Sequence, residues 1–331
     1  MHEEKISLVR EQVGVFQKTL TARRVESVYF VACGGSLATL YPGKYIVERE
    51  TDRVGANLYN AAEFVCDPPA RLNETSLVFF NSQSGSTPET VAAVQLAARR
   101  GALTVVFTAE PGSAAERAAD CAIFYYDDPA HPYPARLTIF PEVYEAVFAA
   151  LDVWNGTERR PQVEDAMDRL QHTLDGACAQ YRQAAREFAR AYCREPLIYT
   201  VAAGLDACVG YILTNCLFME SLWIHSSPLH AGEFFHGALE AVDERTALLA
   251  FLGLGKTRPV EERCVRFLQR KTQKLTVLDA KALDFSEYPD WMRDYVAPLV
   301  LNRLAALYCE ETAALRGHPL SSRRYMGVEK Y

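Results

Sequence analysis

The stretch FFNSQSGSTPETV, Phe79 to Val91, follows a run of apolar residues and precedes a segment with helical spacing. Five hydroxyl side chains fall between Ser82 and Thr90. The pattern predicts strand, loop, helix. Thr87 suits the helix N-cap, and Pro88 suits the first helical position, where its missing N–H removes nothing. Ser82, Gln83, Ser84, Gly85 and Ser86 are then expected at the carboxyl end of a strand, against a helix N-terminus. In an open α/β sheet that is where ligands bind. The first helical N–H groups lack intrahelical acceptors and donate readily to an anion. Hydroxyls add donors, and Gly85 lets the backbone approach closely. The loop has no P-loop lysine, and no G-x-G-x-x-G opens a helix here. One phosphate monoester therefore fits better than a nucleotide triphosphate. The plain alternative is an ordinary polar connection. A second segment, ACGGSLA (32–38), sharpens the choice: a strand end, then Gly34, Gly35 and the Ser36 hydroxyl at a helix start.

Working outward, ESVYFVACGGS (26–36) and EPLIYTVAAGLD (195–206) share one form, each followed by a helix-like segment, 37–48 and 208–224. Further strand-like runs lie at 75–82, 102–109, 247–253 and 274–280, with helix-like runs at 88–100, 114–119, 260–271 and 290–316. Such alternation predicts an α/β fold of parallel sheets with helices on both faces. Residues 140–192 read as helix, and NGTERRP (155–161) reads as a linker. The expected organisation is an N-terminal helix (1–24), a first α/β domain (25–155) and a second (162–331).

Composition narrows the partners. The 331 residues are 49% hydrophobic, enough for a substantial core, and carry 35 Lys plus Arg against 42 Asp plus Glu. A net charge of −7 argues against nucleic acid or an anionic membrane as main partner. The nine cysteines contain no C-x-x-C and read as reduced thiols in a cytoplasmic protein. The N-terminus, MHEEKISLVREQ, is charged rather than signal-like, and no apolar run reaches the ~20 residues of a membrane span.

A second informative stretch is CLFMESLWIHSSPLHAGEFFHGALEAVDE (216–244). Glu220 is the one acid among Leu213, Leu217, Phe218, Leu222 and Trp223. A carboxylate there either faces a pocket or is costly to bury, and apolar surroundings suit a proton-transfer group. After the break at Pro228 come His230, Glu233 and His236. Metal binding through His225, His230, Glu233 or His236 lacks the H-E-x-x-H pattern, so no metal or other cofactor is expected. A capped helix with surface Glu and His is the bland reading; an acid/base pair of Glu220 and His236 is the sharper one.

Together these residues carry a resemblance. SQSGSTPET after a strand, with ACGGS upstream, resembles the sugar isomerase (SIS) domain. GEFFHG, with Glu220 sixteen residues before His236, resembles the isomerase half of glucosamine-6-phosphate synthase. The doubled strand ends resemble tandem SIS domains, each a three-layer αβα sandwich. Within that superfamily, YFVACGGSLATLYPGKYIVERE, LYNAAEF, PLIYTVAAG, FMESLWIHSS, HAGEFFHGALE and HPLSSRRYMGVEKY resemble the sugar–amino-acid 6-phosphate deglycases. The likeness is first to the fructose-asparagine branch, which cleaves 6-phosphofructose-aspartate; EFFHGALE and GKTRPVEERCVRF also resemble the glucoselysine 6-phosphate branch.

The resemblance implies phosphate-binding hydroxyls at Ser36, Ser82, Ser84 and Thr87, with Gln83 beside them, and a catalytic pair at Glu220 and His236. It implies a homodimer whose active site takes His236 from the neighbouring subunit. The synthase has a lysine three residues before its catalytic Glu, and another in its tail. Here those places hold Leu217 and a position near Gly327, and Lys330 is the only tail lysine. Their loss fits a deglycase, whose substrate already carries an amine at C1. Glu220 is expected as acid and His236 as base, with the exchanged assignment open. Arg323 and Arg324, before Tyr325, are expected to recognise the substrate's amino-acid carboxylate, since Arg pairs bidentately with carboxylates. Gly35, Gly85, His230, Glu233 and His318 are further pocket candidates. The competing functions are an aldose–ketose phosphosugar isomerase, which releases no amine, and a non-catalytic sugar-phosphate sensor.

Overall fold

A computed structural model describes residues 2–127 and 132–329. The chain forms two compact units, Met1–Gln171 and His172–Tyr331. The first contains α1 (His2–Thr21), β1 (Ser27–Ala32), α2 (Gly34–Glu50), β2 (Gly55–Asn60), α3 (Ala61–Cys66), β3 (Ser76–Asn81), α4 (Pro88–Arg99), β4 (Leu103–Thr108), α5 (Ala114–Ala118), β5 (Cys121–Phe124) and α6 (Ile139–Asn155). Helix α7 (Arg160–Tyr192) runs through the division, after a break only four residues long.

The first sheet is parallel throughout, in the order β2-β1-β3-β4-β5. Strands β1, β3 and β4 are buried on both faces, as their continuous apolar runs predict. On one face Phe79 stacks between Phe30 and Phe107, at 5.2 and 5.9 Å, with Phe16 of α1 edge-on. On the other, Val31, Val78, Phe80 and Val106 pack with Phe64 of α3, Val94 of α4 and Ala115 of α5. The chain leaves β1 for β2 on one side, then returns to β3 on the other. The crevice between β1 and β3 is thus the topological switch point, where such sheets bind ligands.

The second unit contains β6 (Tyr199–Ala202), α8 (Ala207–Tyr211), β7 (Pro228–His230), β8 (Ala247–Leu252), α9 (Arg258–Leu268), β9 (Lys274–Asp279) and α10 (Asp290–Arg316). Its sheet is also parallel, ordered β7-β6-β8-β9, so β6 and β8 flank an equivalent switch point. One expectation is corrected here. The helix expected over 208–224 is α-helical only through Tyr211 and continues as a π-helix, Ile212–Ser221, in which Glu220 lies. Trp223 follows with φ of 56°, a backbone region that bulky residues seldom adopt. Such a residue persists only where its surroundings hold it. The nine cysteines are free thiols, and no described helix is long and apolar enough to cross a membrane.

Candidate active site

The register aligns Ala32 at the end of β1 with Asn81 at the end of β3, so both expected loops leave the same sheet edge side by side. Asn81, which the sequence reading passed over, ties them together. Its buried side-chain amide donates to the Thr39 hydroxyl at 2.8 Å and to the Ser36 carbonyl at 3.5 Å. Helices α2 and α4 both start here, and neither Cys33 nor Thr87 caps its helix through a side chain. This corrects one expectation. Thr87 does hold the N-cap position with Pro88 next, but its hydroxyl meets that of Ser82 at 3.0 Å. Two helix N-termini thereby aim their N–H groups at one crevice.

The loop is shaped by its own backbone. The Gly85 N–H donates to the Ser82 carbonyl at 3.0 Å, and the Gly85 carbonyl accepts from Ala115 N–H at 2.9 Å. Gly85 has φ of 57°, and a Cβ there would fall 2.1 Å from the Ser113 hydroxyl, so only glycine fits. Ser84 lies exposed, its hydroxyl accepting from the Ser86 hydroxyl at 2.9 Å and from the Ser86 N–H at 3.3 Å. Ser82 is buried and Ser36 half-buried. Gln83 is turned aside: its amide donates to the Asp127 carbonyl at 3.0 Å. Gly35 lies in the first turn of α2.

The second switch point looks different. There the chain's own Glu261 accepts N–H groups from Ala203, after β6, at 3.2 Å and from Gly253, after β8, at 2.9 Å. Burial pushes the Glu261 carboxyl up to about 7, against the pull of those N–H groups and of Arg258. Burial, with Glu261 beside it, also raises the Asp206 carboxyl well above the usual range. An internal carboxylate thus takes up the N–H groups at the strand ends of the second sheet.

In the second unit, a cavity of about 300 Å³ is lined by Met219, Glu220, Trp223, His225, Arg323 and Arg324, among others. Glu220 faces this pocket, and its Oε1 pairs with Arg323 Nη2 at 2.6 Å. The tail makes the far wall. The Arg324 guanidinium lies 4.0 Å from the centre of the Trp223 ring, and Tyr325 is exposed beside it. His318 packs edge-on against Trp223 at 4.4 Å, with Nε2 3.0 Å from the Ser221 carbonyl. These contacts brace Trp223 in its strained conformation.

The remaining candidates lie elsewhere. Glu233 and His236 occupy a 3₁₀ turn, both exposed, and His236 is not among the residues lining the Glu220 cavity in the same chain. His230 ends β7 and is held locally, its Nδ1 accepting the Gly232 N–H at 3.1 Å. Lys330 lies outside the described residues. Among the described residues, no group of three or more His, Cys, Asp or Glu is placed to hold a metal ion.

Comparison with known proteins agrees with this architecture. Residues 23–150 match the SIS domain model. The chain is 42% identical to the fructosamine deglycase FrlB of Bacillus subtilis, over 98% of each chain. It is 27% identical to the fructoselysine 6-phosphate deglycase of Escherichia coli, over 93% of this chain and 87% of that one. A solved Bacillus subtilis structure, described as a candidate phosphosugar isomerase, superposes with a TM-score of 0.94 at 40% identity, covering 99% of this chain and 100% of its own. The chain belongs to the SIS domain family and, within it, to the sugar–amino-acid phosphate deglycases.

Proposed function

We propose that this protein is a deglycase that cleaves a 6-phosphorylated fructosamine, such as 6-phosphofructose-aspartate, to glucose 6-phosphate and a free amino acid. One observation carries the reading: the Ser82–Thr87 loop and the Ser36 segment leave adjacent strand ends at the switch point of the first sheet, each at a helix N-terminus. That arrangement suits one phosphate monoester. The fructosamine and fructoselysine 6-phosphate deglycases among its relatives support the same substrate class. The phosphate subsite falls in a proposed first domain, 25–155, and the carboxylate in a proposed second, 162–331.

The chemistry follows from the substrate. Ring opening exposes the C2 carbonyl. A base removes a C1 proton while O2 takes up a proton from solvent, giving a 1,2-enaminol. An acid protonates C2, giving an imine at C1. Water adds to C1, and the amine leaves as it takes a proton. Glu220 and His236 are the proposed acid/base pair. Glu220 is assigned the proton at C1 and His236 the proton at C2. His236 is proposed to come from the partner in a homodimer, in a cytoplasmic enzyme without cofactor.

The test is a panel of 6-phosphorylated conjugates: fructose-aspartate, fructose-lysine and glucose-lysine, with fructose 6-phosphate as the isomerase control. The expected result is equal amounts of glucose 6-phosphate and amine from at least one fructosamine. Interconversion of fructose 6-phosphate without amine release from any conjugate would identify an isomerase instead.

A further inference from the structure

The cavity beside Glu220 contains a charge imbalance that the acid/base scheme does not use. Its wall presents two guanidinium groups, Arg323 and Arg324, against the single carboxylate of Glu220. In a chain of net charge −7, this is a local site for one more anion. The two partners of the ion pair are held unequally. Arg323 Nη1 donates to the Leu320 carbonyl at 2.8 Å and the Ser322 carbonyl at 2.9 Å, so its guanidinium is fixed in the tail turn. Glu220 sits near the end of a π-helix, just before the strained Trp223.

Resting on the deglycase reading, we infer that the α-carboxylate of the substrate's amino-acid half takes Arg323 from Glu220, and that this exchange both selects carboxylate-bearing conjugates and frees Glu220 for the C1 proton. A carboxylate held by a guanidinium is a poor proton acceptor, because removing a proton from carbon must compete with the ion pair. A second carboxylate offers Arg323 an equivalent partner at little net change in charge–charge energy. Arg324, stacked on Trp223, supplies the extra cation that neutralises the added charge. The enzyme then releases its base only when the correct leaving group is seated. Arg323 is a positioning and specificity residue in this scheme, acting through Glu220.

The test compares 6-phosphorylated fructosyl-glycine with 6-phosphorylated fructosyl-glycinamide, which differ only in the charge of one group. The wild-type protein is expected to prefer the glycine conjugate about 10–100-fold in kcat/KM, the range of a hydrogen-bonded charged pair. Arg323→Ala is expected to raise KM for glycine and to raise kcat for glycinamide, because Glu220 is no longer held; Arg323→Lys should keep part of the preference. A wild-type protein that handles both conjugates equally would overturn the exchange and leave the deglycase reading standing. So would an Arg323→Ala protein that slows both in the same proportion. Where Arg323→Ala does not fold, the wild-type comparison decides alone. Absence of glucose 6-phosphate from either conjugate and from the wider panel would overturn the deglycase reading, and the exchange with it.

Discussion

Glu220 and Arg323 are joined by a 2.6 Å ion pair, although they lie on a π-helix and in a tail turn about a hundred residues apart in sequence. The pairing brings an acidic side chain and a guanidinium together on the wall of the cavity. Replacing the acid by Glu220→Gln keeps the shape and most hydrogen-bonding capacity. Turnover is expected to fall about 10²–10⁴-fold, with KM changing much less. Steady-state kinetics on the best conjugate of the panel checks this; near-wild-type turnover would remove Glu220 from the chemistry.

The loop of the first sheet is expected to act on binding. Ser84→Ala and Thr87→Ala should each raise KM roughly 10–100-fold for a phosphorylated conjugate, the range of a hydrogen bond to a charged group. Inorganic phosphate should compete with substrate in the wild-type protein and compete more weakly in both variants. Gly85→Ala should lose binding altogether, because the added Cβ would collide with the Ser113 hydroxyl at a φ of 57°. A Ser84→Ala protein with unchanged KM and phosphate inhibition would place the phosphate elsewhere.

If His236 serves the neighbouring subunit, two inactive proteins should rescue each other. Homodimers of Glu220→Gln and of His236→Ala are each expected to be inactive. Unfolding and refolding them together should restore activity, since one site of each mixed dimer then holds both native groups. No recovery, with mixed dimers shown to form, would argue for a pair within one chain.

Buried carboxylates set the expected pH dependence of stability. Burial raises Glu261 from 4.5 to about 7, and Glu145 likewise to about 7 despite Arg136 beside it. A raised carboxyl binds more protons folded than unfolded between those values. Its stabilising contribution is therefore complete below about 4.5 and is lost as pH rises through about 7. Denaturation measured at pH 5 and pH 8 should show lower stability at pH 8, by on the order of 1–3 kcal/mol per group. Glu261→Gln should flatten part of that slope. A slope of opposite sign would show these carboxyls to be ionised more readily in the folded protein.

Much of this architecture could be read before folding. Continuous apolar runs mark β1, β3, β4 and β8, because strands buried on both faces have no polar side to alternate with. Three strands escaped that reading. Strand β2, GANLYN, is an edge with alternating exposure; β5 and β7 have four and three residues, and β7 starts at a proline. Hydroxyl spacing and Thr87-Pro88 gave the position of the loop but not the Ser82–Thr87 hydroxyl contact, which depends on where the loop turns back. Asn81 had no local signal, since its role is to bridge to Ser36 and Thr39, more than forty residues away. The π-helical register around Glu220 was likewise invisible, because apolar residues on most sides fit either winding.

The central claim is tested most directly by running the reaction in deuterium oxide and reading the product by nuclear magnetic resonance. With 6-phosphofructose-aspartate, or whichever fructosamine of the panel turns over, separate acid and base groups should yield glucose 6-phosphate with one solvent deuteron at C2 and one amine released per sugar. Amine release that leaves fructose 6-phosphate as the sugar would contradict the enaminol route, and glucose 6-phosphate with only protium at C2 would contradict two-group catalysis by showing that one group carries the C1 proton to C2.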